Sequence, residues 1–291
     1  MGSGSSLINI GELSKPVTVL IERISAAVGT LYQPHHVKQM AKADAEAAKI
    51  QAFARIELSG IEKRALVRMI QEEGKKQENM EFVTAKAIDD IEQDAKPEEL
   101  DSDWLASFFD KCRLVSNQEM QSLWSKILSG QVNRPGSFSR RTIELVAALD
   151  KDDADLFTAL CGFGWTIGDI FEPLVFAVQD SIYKQHGVKF DSLAHLESLG
   201  LLRFEALTSF SLANLSTGVK ISYFDTQYHL SPRPNSSDDI VIGNVMLTKS
   251  GQELAPICGA KMIDDFPEYA VKKWKEKGFE VGYLSPPLNI S

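Results

Sequence analysis

Cysteine is scarce in this chain and positive charge is in deficit, and each shortage excludes a class of protein. Three cysteines in 291 residues, Cys112, Cys161 and Cys258, are an odd number spread far apart. They supply neither the paired bridges that staple small secreted domains nor the closely spaced pairs of a zinc site. Against 40 Asp and Glu stand 31 Lys and Arg, a formal charge of −9. That balance argues against a polyanion as the main partner, because non-specific nucleic-acid affinity comes from neutralising phosphates. Long apolar runs are missing as well. No stretch of 18 residues lacks a charged side chain, so no spanning helix is expected, and the start of the chain lacks the charged-then-apolar pattern of a secretory signal. The expected location is cytoplasmic, with peripheral attachment at the inner membrane as the alternative.

Catalytic signatures are absent too. There is no Walker loop, dinucleotide glycine fingerprint, Gly-x-Ser-x-Gly elbow or His-Glu-x-x-His. Gly162-Phe163-Gly164 with Gly168 reads as a turn between helices, without the preceding strand a phosphate cradle needs. Glu73-Gly74-Lys75 imitates part of a nuclease motif but falls in a helical, solvated stretch with no partner aspartate. His35-His36 point about 100° apart on a helix and read as a solvated start rather than metal ligands. No catalytic residue, metal ligand or cofactor is assigned, and a non-enzymatic role is favoured over an unrecognised activity.

What is present is an ordinary globular composition, 44% hydrophobic and 24% charged, with length for about two domains. The pattern reads as mainly α with a small antiparallel β component, in four segments. Residues 1–34 are a flexible Gly/Ser leader and an amphipathic helix; Gly2 with Ser6 also matches a myristoylation pattern, although composition favours a plain leader. After Ser14-Lys15-Pro16, the residues Val17, Leu20, Ile21, Ile24, Val28 and Leu31 recur at helical spacing. This strip is expected to cover its own chain, an identical subunit or, less readily, a bilayer surface, since Arg23 beside Glu22 is not a Lys/Arg-rich face.

Residues 35–97 read as one long Ala/Glu/Lys-rich helix or a helical hairpin, with Gly60 and Gly74 as the places for a bend. Seven alanines between Ala41 and Ala54 leave little bulk and suggest a close partner helix. Residues 98–150 form a helical module. Trp104, Leu105, Phe108, Phe109 and Cys112 are one inward face, Ser116-Asn117-Gln118-Glu119 reads as a capping box, and Met120, Leu123, Trp124, Ile127 and Leu128 follow it inward. Arg134, Arg140 and Arg141 concentrate positive charge as a candidate contact for an anion or an acidic partner; pairing with Glu144 is the simpler alternative.

Residues 151–291 begin with an acid-led helix at Asp150-Lys151-Asp152-Asp153, continue through a second apolar segment, Phe171 to Tyr183, and reach a short helix over 191–199 stopped by Gly200. Strand patterns follow at 201–204, 219–224, 227–230 and 240–247, then a closing helix over 264–277 and an edge strand over 279–284. Leu196-Glu197-Ser198-Leu199-Gly200-Leu201-Leu202, a hairpin, and then Leu247-Thr248-Lys249-Ser250-Gly251 resemble winged-helix domains. The resemblance implies a three-helix core with a β-wing, whose third helix enters the DNA major groove in many relatives. Here that helix carries Asp191 and Glu197 with His195 and no Lys or Arg, so DNA is disfavoured and Asp191, His195 and Glu197 are instead a candidate surface for a protein partner.

Leu7 to Pro16, and Phe108-Phe109-Asp110-Lys111-Cys112-Arg113-Leu114 through Glu119 to Leu128, resemble a bacterial family known as domain of unknown function 2806. The Glu119-x-x-x-Leu123-Trp124-x-x-Ile127-Leu128 segment is also similar to abortive-infection alpha proteins, a resemblance that implies phage defence and carries no catalytic residues. The expected function is a self-associating interaction protein of phage defence, with an unidentified protein partner. The alternatives are a winged-helix nucleic-acid-binding regulator and a peripheral membrane effector acting through the N-terminal helix.

Overall fold

The computed structural model describes residues 14–29, 59–212, 218–234, 236 and 239–284. The chain divides into two compact units, Met1–Ala147 and Ala148–Ser291. The leader, Leu31, the histidine pair and the alanine run of 41–54 lie outside the described residues.

Unit 1 is helical: α1 (Lys15–Val28), α2 (Gly60–Ile88), α3 (Ser102–Cys112), α4 (Gln118–Asn133) and α5 (Arg140–Ala147), with a 3-10 turn at Pro97–Glu99. Side chains decide where the helices begin. Ser59 is extended and forms a capping box with Glu62, which breaks any helix running through from before. Helix α2 therefore starts at Gly60, and Gly74, the other place expected for a bend, lies inside it without interruption. Asp101 Oδ1 accepts from the backbone of Asp103 and Trp104 at 2.7 and 2.9 Å and starts α3. The cap of α4 is Asn117, not Ser116: its Oδ1 accepts from the backbone of Glu119 and Met120 at 2.9 and 3.0 Å.

The core of unit 1 lies between α3 and its neighbours α1 and α5, with α2 on α4. Trp104 stacks on Phe108 with centroids 5.2 Å apart, and Phe108 meets Trp124 edge-on at 5.2 Å. Trp104 Nε1 donates to the carbonyl of Phe138 at 2.8 Å, so its polar edge is satisfied inside. Only the C-terminal half of α2 packs: Asn79, Val83, Thr84 and Ala87 are its buried residues. Asn79 Nδ2 donates to the carbonyl of Arg113 at 2.8 Å, and Gln121 Nε2 donates to Asn79 Oδ1 at 3.2 Å, a buried polar bridge from α2 to α4.

Unit 2 alternates helix and strand: α6 (Lys151–Cys161), β1 (Gly164–Ile167), β2 (Ile170–Pro173), α7 (Ser181–Gln185), α8 (Phe190–Ser198), β3 (Leu202–Phe204), β4 (Phe210–Leu212), β5 (Val219–Tyr223), β6 (Thr226–Pro232), β7 (Ile240–Gly243), β8 (Val245–Leu247), α9 (Lys249–Leu254), α10 (Phe266–Glu276) and β9 (Phe279–Leu284). An antiparallel five-stranded sheet runs β2-β1-β5-β6-β9, beside the pairs β3-β8 and β4-β7. One reading from sequence is corrected here. The glycine cluster is no turn between helices: Gly164 opens β1, and Gly168, with φ +61°, turns the chain into β2. The apolar segment from Phe171 gives the rest of β2 and then irregular chain before α7.

Close approach explains the glycines. A Cβ on Gly164 would lie 1.9 Å from the Phe171 ring, and one on Gly251 would lie 2.1 Å from the carbonyl oxygen of Leu201. Thr248 caps α9, accepting from the Gly251 N–H at 3.2 Å, and its hydroxyl donates to the carbonyl of Gly200 at 2.7 Å. The Leu-Thr-x-x-Gly phrase is thus a cap plus a contact of backbone on backbone. The unit closes around Phe163, Tyr183, Tyr223 and Phe266, and around Trp165 with Tyr223, Tyr228 and Trp274.

Candidate functional site

The N-terminal strip meets its own unit. Val17, Leu20 and Ile24 are buried where α1 packs on α3 and on the Pro97–Glu99 turn, and the Arg23 guanidinium donates to the Leu100 carbonyl. These three positions are therefore not free to cover a second subunit or a bilayer. Ile21 and Val28 are half-buried, and Leu31 lies outside the described residues.

Arg134 follows α4, Arg140 and Arg141 open α5, and all three are exposed. The simpler reading, pairing with Glu144, does not describe that carboxylate, which pairs with Lys111 at 3.0 Å. The nuclease-like triplet is an ordinary helical face, with Glu73 on Lys76 at 2.6 Å.

Asp191, His195 and Glu197 all lie on α8 and are exposed, but they do different things. His195 Nε2 sits 2.7 Å from Asp153 Oδ1 and ties α8 to α6. Burial raises the Asp153 carboxyl, but the hydrogen bonds from His195 and from the Asp150 backbone outweigh it, so its pKa is lowered. Glu197 Oε1 accepts from the Phe204 N–H at 3.0 Å and ties α8 to β3. Beside Asp191, Phe190 is 53% exposed, its ring edge-on to Phe204 at 5.2 Å. This aromatic pair belongs to the same surface and was not singled out in the sequence, because Phe190 immediately precedes the helix as read there.

Three further groups come together inside unit 2. Glu172 on β2 is 3% exposed. Its two oxygens accept from the Leu247 N–H and from Gln252 Nε2, both at 2.8 Å, yet burial raises its pKa to about 7. Cys161 is buried at the end of α6, and Cys258, whose carbonyl accepts from Thr158 Oγ1 at 3.2 Å, lies on the segment docked against that end of the helix. Burial first, then Cys258 and the charge of Glu172, push the Cys161 thiol up. Spacing had set all three cysteines apart; the fold docks the segment of Cys258 one helical turn from Cys161. Next to them a cavity of about 390 Å³ is lined by Thr158, Ala159, Gly162, His186, Gly259 and Lys261, among others. Among the described residues no cluster of three or more His, Cys, Asp or Glu is placed to hold a metal ion, and no helix is long and apolar enough to cross a membrane.

Compared with known families, residues 63–270 match one family model, from α2 in unit 1 to α10 in unit 2. No curated protein and no solved structure matches. The match includes the Phe108 to Leu128 segment and covers more than half of the chain. The chain therefore belongs to the family described as "Protein of unknown function (DUF2806)".

Proposed function

We propose that the chain is a self-associating interaction protein with no chemistry of its own, and the observation that carries this is the N-terminal half of α2. From Gly60 to Lys75 no residue is buried, although the helix is regular throughout. Ile61, Val67 and Met69 are 72, 46 and 55% exposed. Ile61, Ala65 and Met69 fall four residues apart on one face, and exposed apolar side chains in line are what a partner helix buries. A second copy of α2 fits best by charge. Between Gly60 and Met69 stand Lys63, Arg64 and Arg68 against Glu62, and between Ile70 and Asn79 stand Glu72, Glu73 and Glu78 against Lys75 and Lys76. Antiparallel pairing lays the basic half of one helix on the acidic half of its partner.

The unidentified protein partner is assigned to the α8 surface. There α8, the β3-β8 pair and α9 support a winged-helix-like reading, and exposed Phe190, Asp191 and Glu197 suit a protein better than phosphates. A role in phage defence rests on the likeness around Glu119 and Trp124. Trp124 is fully buried, so that likeness is carried by core positions. The test of self-association is light scattering on the full chain over a range of concentrations. The chain is expected to weigh more than one copy and to become a monomer when Ile61 and Met69 are both changed to Asp; a native chain that stays monomeric overturns the reading.

A further inference from the structure

We infer that Cys161 and Cys258 are a redox modification site that closes to a disulfide within unit 2. Thr158 Oγ1 donates to the carbonyl of Cys258 at 3.2 Å, which docks the turn after α9 on the last turns of α6. Cys161 lies three residues further along α6, on the same side of the helix. The Cys258 thiol donates to the carbonyl of Ala255 at 3.1 Å. Cys258 and Cys161 thus lie on two segments that are already docked within one helical turn of each other, so that a small adjustment brings their sulfurs to bonding geometry.

Access is asymmetric. Cys258 is half-buried between exposed Pro256 and exposed Gly259, whereas Cys161 is buried and burial keeps its thiol protonated. Cys258 is therefore the point of entry. A low-molecular-weight disulfide such as oxidised glutathione reacts there: the Cys258 sulfur bonds to one glutathione sulfur, the other leaves as glutathione thiol, and the Cys258 proton leaves with it. The Cys161 sulfur then attacks Cys258, the second glutathione departs as its thiol with the Cys161 proton, and an intramolecular disulfide remains. Two thiols have lost two electrons and the reagent has gained them. Gly259 and Lys261, just beyond Cys258, line the cavity against Thr158 and Ala159 of α6, so the closed bridge fixes the two walls of that cavity together.

The experiment equilibrates the full chain with excess oxidised glutathione, quenches in acid, denatures, alkylates and measures intact mass and peptides. The expected result is one alkylated thiol per chain instead of three, a mass lower by two hydrogens before alkylation, a linked peptide pair containing Cys161 and Cys258, and full reversal by dithiothreitol. Cys161→Ser is expected to trap a glutathione adduct on Cys258, and Cys112→Ser to leave the bridge unchanged. Three alkylated thiols after oxidation, a lasting glutathione adduct on the native chain, or a bond between chains would each overturn the assignment.

Discussion

Glu172 is a carboxylate that the fold holds away from water, and its titration reports on the fold. It starts from an ordinary value of 4.5 and is raised to about 7 by burial, despite the donors Leu247 and Gln252. Between those values the folded chain binds more protons than the unfolded one. Its contribution to stability is complete below pH 4.5 and is lost as pH rises through 7. Denaturant unfolding of the native chain is expected to show a fall on the order of 1–3 kcal/mol from pH 5 to pH 8. Glu172→Gln, which keeps a neutral acceptor for the Leu247 N–H, is expected to flatten that profile; an unchanged slope in the variant would contradict the assignment. Asp153 runs the other way, its lowered carboxyl adding stability at neutral pH that is lost as pH falls through its folded value. In sequence both acids look like solvated charges. Their partners, Leu247 and Gln252 for one and His195 for the other, are remote in the chain, so no local pattern marks them.

Elements were legible where a local interaction makes them. The inward faces of α3 and α4, the acid-led start of α6, the hairpin of β5 and β6, the closing helix α10 and the edge strand β9 all lie where periodicity and turn residues placed them. The β1-β2 hairpin was not read, although Trp165-Thr166-Ile167, Gly168-Asp169 and Ile170-Phe171 are strand, turn and strand in miniature. Its strands have four residues each, too short for alternation to stand out beside flanking apolar chain. Helix α2 offers a direct check on propensity. A Cβ at Gly74 would meet nothing within 4 Å, and the backbone there is helical. Gly74→Ala is therefore expected to raise the stability of unit 1 by about 0.4–1 kcal/mol, read as a higher urea midpoint with unchanged slope. A loss would mean that the helix needs its glycine.

At the scale of the whole molecule, charge along α2 makes the self-association proposal testable beyond the apolar stripe. Reversing Arg64 and Arg68 to Glu is expected to weaken assembly by roughly tenfold or more, and reversing Glu72 and Glu73 to Lys in the same chain to restore it. Because Arg68 also pairs with Glu72 inside α2 at 3.5 Å, the discriminating outcome is restoration of assembly with helix content by circular dichroism equal in all the variants. Sedimentation at several concentrations reads the assembly.

The sequence by itself determined what needs only neighbours along the chain: an acidic, mainly helical protein with small antiparallel sheets, the caps and periodic faces of most elements, and the glycine that the Leu-Thr-x-x-Gly phrase requires. Only the tertiary structure decided which apolar faces are occupied. It buried Val17, Leu20 and Ile24 of α1 inside unit 1 and left Ile61, Val67 and Met69 of α2 in water. It also docked the Cys258 segment on the end of α6 that carries Cys161 and shut Glu172 away behind Leu247. The physical reason is the same in each case. Hydrophobic strips and ionisable groups state what they need within their own segment, but whether the need is met depends on contacts between residues far apart in the chain, whose pairing no local spacing encodes.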